Sequence, residues 1–160
     1  MKALCLTQPW ATLMAIGAKQ YETRSWRTRY HGLVALCAAK NFPRACRDLI
    51  HEDPFRQVLG ATGWHEPKAL PRGVILAVGF LSGCDPTDQI SVLRRADGSL
   101  VLSDQERAFG DYSPGRWAWL FHRVMVLARP LPVVGSLGLF DLPSHTVEAI
   151  VDQIPQTRFA

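Results

Sequence analysis

Apolar positions recur in short blocks along this chain, and the period of each block indicates an element. Lys2 to Leu6 reads as a first strand. The apolar run Ala11 to Ile16 predicts a short helix over Pro9–Ile16. Thr7 or Gln8 stands near its start, Pro9 occupies an early position where a missing N–H costs nothing, and Gly17 falls where a left-handed cap is wanted. Beyond Gly17 the period drops to two. Lys19, Tyr21, Thr23 and Ser25 alternate with Gln20, Glu22, Arg24 and Trp26, as on the two faces of a strand. Leu33 to Ala38 is too apolar to be a half-exposed strand.

The middle of the chain is more broken. Asn41-Phe42-Pro43 predicts a helix start with Asn41 as cap, continuing through Ala45, Cys46, Leu49 and Ile50. Pro54 interrupts it, Phe55 to Leu59 suggests another turn, and 60–72 reads as a loop. Gly73 to Phe80 is a near-continuous apolar run, the pattern of a central strand buried on both faces, and Cys84-Asp85-Pro86 ends it. Asp97-Gly98 sits between Ser91–Arg94 and Ser99–Leu102, which predicts a hairpin and makes 85–103 a surface insertion on a single domain spanning 1–160. Ser103-Asp104-Gln105-Glu106 has the form of a capping box. Arg116 to Arg129 reads as a long strand with Trp117, Trp119 and Phe121 on one face and Ala118, Leu120, Val124 and Val126 on or near the other. Gly135 to Leu142 is a loop or short strand. Pro143-Ser144 starts a last helix with Val147, Ile150 and Val151 as its stripe.

Many strands, few helices and no strand–helix–strand alternation argue against a doubly wound parallel sheet. The expected class is α+β: a small mixed β-barrel with helices packed at the barrel openings. At 160 residues and 48% hydrophobic content the chain can bury a real core. No apolar run approaches the length of a spanning helix, and Met1 to Cys5 lacks the apolar core of a signal peptide. The four cysteines show no C-x-x-C spacing and read as reduced, mostly buried thiols of a cytoplasmic protein. The five histidines have no metal-ligand spacing, and no P-loop or dinucleotide fingerprint is present, so neither metal nor cofactor is expected.

Charge adds a function class. The net charge is +4, with Lys19, Arg24, Arg27 and Arg29 close together and Lys40, Arg44 and Arg47 soon after. A solvated basic face explains such a run. Interleaved Tyr21, Trp26 and Tyr30 favour a surface that holds phosphates and stacks bases. Glu22 and Arg24 share a strand face, roughly 7 Å apart at about 3.3 Å per residue. Lys19 joins them if it still lies in the turn after Gly17, which is the expected placement.

These residues carry a resemblance. Gly17-x-Lys19-x-x-Glu22-x-Arg24 matches the G-x-K-x-x-E-x-R signature of the ASCH domain family, within the PUA-like superfamily. Gln8-Pro9-Trp10, Trp26, Gly32 to Leu36 and the block Phe109 to Trp119 resemble its bacterial branch, so that the likeness covers Lys2 to Pro143. The resemblance implies a PUA-like barrel and an association with RNA. It also implies that the Phe109 block lies beside the signature and shares one cleft with it. Some ASCH-like proteins hydrolyse an amide on a modified cytidine, and nuclease activity has been linked to others. In the small amidohydrolase branch a threonine stands where this chain has Glu22, a departure that Thr23, facing the other way on a strand, does not repair.

Two functional readings follow. In the first, the protein is a binding module for single-stranded or structured RNA or a nucleotide. Lys19, Arg24 and Arg116 hold phosphate, Trp26 or Tyr112 stacks a base, and Gln8 offers its amide to a base edge. In the second, Lys19 and Glu22 form a general acid/base pair on RNA or a modified nucleoside. Each residue also has a plainer role: Gln8 as helix cap, Glu22 and Arg24 as a structural ion pair, the aromatics as core. Trp10 is expected in the core.

Overall fold

The computed structural model describes residues 1–94, 96–98 and 101–154. Six strands form one mixed sheet: β1 (Lys2–Leu6), β2 (Tyr21–Arg24), β3 (Gly32–Ala38), β4 (Val74–Pro86), β5 (Trp117–Pro132) and β6 (Leu139–Asp141). Their order is β2-β5-β4-β3-β1-β6, with β1 and β3 parallel and every other pair antiparallel. The sheet curls into a half-barrel, the α+β class expected, with β2 and β6 as its two edges.

Helices α1 (Trp10–Ala15), α2 (Arg44–Asp48), α3 (Phe55–Ala61), α4 (Thr87–Ile90), α5 (Asp104–Ala108) and α6 (Ser144–Val151) pack around it. One face of the sheet joins α1 in a core of Leu4, Leu6, Met14, Leu36, Trp119 and Phe121. The opposite face puts Ala35, Ile75, Val78 and Met125 against Ile150 of α6. A third cluster, centred on Leu13, Phe55, Leu59 and Phe109, ties α1 to α3 and to the end of α5.

The long strands depart from simple alternation in an explicable way. β4 runs on through Pro86 instead of ending near Phe80, because β5 stays paired with it as far as Trp117. Register shifts at three points along this pair let thirteen residues of β4 curl without losing their partner. One shift lies opposite Arg123, whose φ of 49° is positive. The extra residue there returns Val124 to the face of Trp119 and Phe121, where strict alternation would have put it on the other side.

Other expectations are corrected locally. Asn41 caps no helix: α2 begins after Pro43 with no side-chain cap, a 3-10 turn spans Leu49–His51, and Pro67–Ala69 forms another. Val151 is part-exposed and leaves the stripe of α6 to Val147 and Ile150. The predicted hairpin falls partly outside the described residues, at Arg95, Ser99 and Leu100. Within them, the Val101 N–H donates to the Leu93 carbonyl across the turn at Asp97-Gly98. No helix among the described residues is long and apolar enough to cross a membrane.

Candidate functional site

The site begins at the end of α1. Gly17 takes φ +76°, which glycine adopts without steric cost, and the N–H groups of Ala18 and Lys19 both donate to the Leu13 carbonyl. This cap holds Lys19 in the turn, ahead of β2, as expected. From there the Lys19 side chain runs inward, and only 1% of the residue is exposed. Its Nζ lies 3.9 Å from Glu106 Oε1 and makes no hydrogen bond. Burial pushes the ammonium's pKa below its ordinary value, against the pull of Glu22 and Glu106.

Glu22 is the reciprocal case. Burial raises its carboxyl pKa, opposed in turn by Lys19, Arg24 and Arg116. Its Oε1 is 3.0 Å from Arg24 Nε, a close ion pair in which that N–H is not aligned for a hydrogen bond. Arg24 Nη2 donates to the Cys5 carbonyl at 2.9 Å. This bond leads from one edge strand to the strand just inside the other edge, and so bridges the seam at which the curled sheet stays open.

A cavity of about 320 Å³ lies at this seam. Glu22, Arg24, Trp26, Trp10, Asp111 and Arg116 are among the residues that line it. Trp26 is part-exposed at the rim and stands edge-on against buried Trp119, with centroids 4.5 Å apart. Trp10, expected in the core, both packs edge-on against Phe55 and borders the cavity. Arg116 Nε is 3.2 Å from Asp111 Oδ2, and Arg116 Nη2 donates to the Thr23 carbonyl. The Asp111 N–H donates to Thr23 Oγ1, which pins the 110–116 loop to β2. The Ser113 hydroxyl and N–H, together with Arg116, hold the Asp111 carboxyl below its usual range. The signature strand and the Phe109 block therefore meet in one hollow.

Three of the residues singled out from sequence do not face that hollow. Gln8 is fully buried. Its Nε2 donates to the Pro71 carbonyl at 2.7 Å and its Oε1 accepts from the Thr12 N–H, and with the residue wholly buried the amide is not presented to a base edge. Tyr112 packs with Tyr21, Ile90, Leu102 and Ala118, its hydroxyl directed at Glu106. Burial and that carboxylate raise its phenol pKa. Lys19 is buried and is not among the residues that line the cavity.

Glu106 belongs to the site but was read from sequence only as a cap. Ser103 Oγ does accept from the Glu106 N–H, one half of the capping box. The carboxylate turns away from the cap and accepts from the N–H groups of Gln20 and Tyr21, beside Lys19 Nζ. Cys5, at the cavity wall, has a thiol pKa lowered to about 7 by a hydrogen bond from Cys37, its neighbour in register on β3. Among the described residues no group of His, Cys, Asp and Glu side chains is placed to hold a metal ion.

No family model matches the chain, and no curated protein sequence does. Solved structures do. The crystal structure of ASCH from Zymomonas mobilis superposes with a TM-score of 0.53 at 13% identity, covering 94% of this chain and 93% of that one. A single-substitution mutant of the same protein gives 0.53 at 12% identity, over 94% and 96%. With nearly the whole of both chains aligned, this protein has the fold of the Zymomonas mobilis ASCH structure.

Proposed function

We propose that the protein binds RNA or a nucleotide in the seam cavity, with Arg24 and Arg116 holding phosphate and Trp26 offering a face for a base. The observation that carries this reading is the convergence of two part-exposed guanidinium groups and a part-exposed indole on one hollow. Its volume is at the small end of the roughly 300–1,000 Å³ of ligand sites. Both guanidinium groups are already oriented by carboxylates and carbonyls, so little freedom is lost when an anion arrives. Kinship with the ASCH family, suggested by the signature and by the shared fold, supports the same partner class.

The reading is tested by fluorescence anisotropy with single-stranded RNA over a range of salt. Binding is expected to weaken steeply as salt rises, and Arg24→Ala or Arg116→Ala to cost about tenfold each, the loss of one charge-assisted phosphate contact. No binding even at low salt would end it.

A hydrolytic reading has its own support in the opposed pKa shifts of Lys19 and Glu22. Glu22, which faces the cavity, would take a proton from water or a ribose hydroxyl. Lys19 would act through it by setting its charge. Mass spectrometry of RNA and acetylated cytidine after long incubation tests this: cleavage or deacetylation that disappears in Glu22→Gln supports it, and intact substrates refute it.

A further inference from the structure

Two more hollows are linked to the seam cavity, one by a shared lining residue and the other through chain neighbours of that lining. A hollow of about 500 Å³ shares Cys5 with it and extends past Lys40 and Asn41 to Gly73. The next, about 280 Å³, continues from the chain neighbours Phe42 and Arg72 and is lined also by Arg47 and Lys68. The linings thus connect stepwise from the seam cavity, which Arg116 borders, to the last hollow, which Lys68 borders.

Their linings differ. The middle hollow is largely apolar, and Val134 and Leu137, which line it, are almost wholly exposed and so offer apolar surface to a ligand. Lys40 borders the middle hollow, and Arg47, Lys68 and Arg72 line the far one with Glu66 as its carboxylate; all four cations are exposed. None of these four cations has a side-chain hydrogen bond or ion pair among the described residues, whereas Arg44 nearby is paired with Asp48. Gly73 leaves room for the Lys40 stem: a Cβ there would come within 2.8 Å of it, and the glycine φ is +66°. Charge without a partner, next to an apolar bed and in line with a site that takes a nucleotide, matches a strand with anionic linkers and flat apolar faces.

We propose that a single-stranded RNA longer than the seam cavity can hold runs over the middle hollow and is clamped through its phosphates by Lys40, Arg47, Lys68 and Arg72. This rests on the RNA reading of the seam cavity and extends it by a second, separable phosphate site.

The test compares the parent with the exposed-site variant Arg47→Ala/Lys68→Ala/Arg72→Ala, using a dinucleotide and a twelve-residue oligonucleotide, each of single-stranded RNA. The variant is expected to bind the dinucleotide as the parent does and to lose at least tenfold on the long RNA. Its log-affinity against log-salt slope should be shallower by about 2, since each phosphate contact on a single strand contributes about 0.7. The triple Arg47→Lys/Lys68→Arg/Arg72→Lys variant should recover the slope. Equal affinity and slope for parent and alanine variant on the long RNA would overturn the extended path while leaving the seam site standing. A parent that binds neither RNA would remove the seam site itself, and the path with it. If a polyglutamate peptide displaces the long RNA as well as unlabelled RNA does, the patch is a general acidic-partner surface and the proposal fails.

Discussion

Lys19 and Glu22 show how burial sets chemistry at the level of single residues. Each sits where burial disfavours the charged form, and each opposes the other's shift. The Lys19 shift has a testable sign. The folded protein releases that proton below the ordinary value of 10.5, so between the two values the unfolded chain holds more protons and stability rises with pH. Urea denaturation on the alkaline side of neutrality should show the stability difference, parent minus Lys19→Met, climbing toward pH 10.5. A flat difference would mean that the amine is solvated. The signature residues and their spacing were legible in the sequence, including Lys19 in the turn, because Gly17 forces that cap locally. The fates of Gln8 and Glu106 were not. Both have the right local chemistry for a cap, and their far partners, Pro71 and the start of β2, are fixed only by tertiary packing.

At the level of elements, α5 is a short helix whose purpose is to deliver one carboxylate. Ser103 secures its start, and Glu106 accepts the two N–H groups that lead into β2. Glu106→Gln leaves one good acceptor where there were two and is expected to cost on the order of 3 kcal/mol. Ser103→Ala should cost about 1 kcal/mol through the lost cap. Chemical denaturation of both variants checks the order. If Ser103→Ala proves the more damaging, Glu106 is not what anchors β2. The strands themselves were readable where their apolar runs are unbroken, as in β3 and the first half of β4. Alternation fails where bulges intervene, since the extra residue of β5 at Arg123, opposite Gly79, resets the parity on which it depends.

At the level of the whole molecule, the mixed sheet and its flanking helices followed from counting strands and excluding a doubly wound order. The open seam did not follow, because closure depends on accumulated curl and not on any local pattern. Arg24 spans that seam through the Cys5 carbonyl. Arg24→Leu should therefore speed amide hydrogen exchange in Tyr21–Arg24 by about tenfold, roughly 1.4 kcal/mol of local opening, while β3 and β4 stay protected. Uniform acceleration across the sheet would mean that Arg24 supports global stability instead.

The bridge from Arg24 to Cys5 also decides how a guest gains entry. A fully zipped ring of strands widens only by tearing main-chain ladders, several bonds at a time. Here the two lips are fastened by a side chain, and a phosphate bound as proposed above would add a charged acceptor at the same guanidinium. On the reading proposed above, the residue that joins the lips would also meet the anion, and no strand would have to give up its partner.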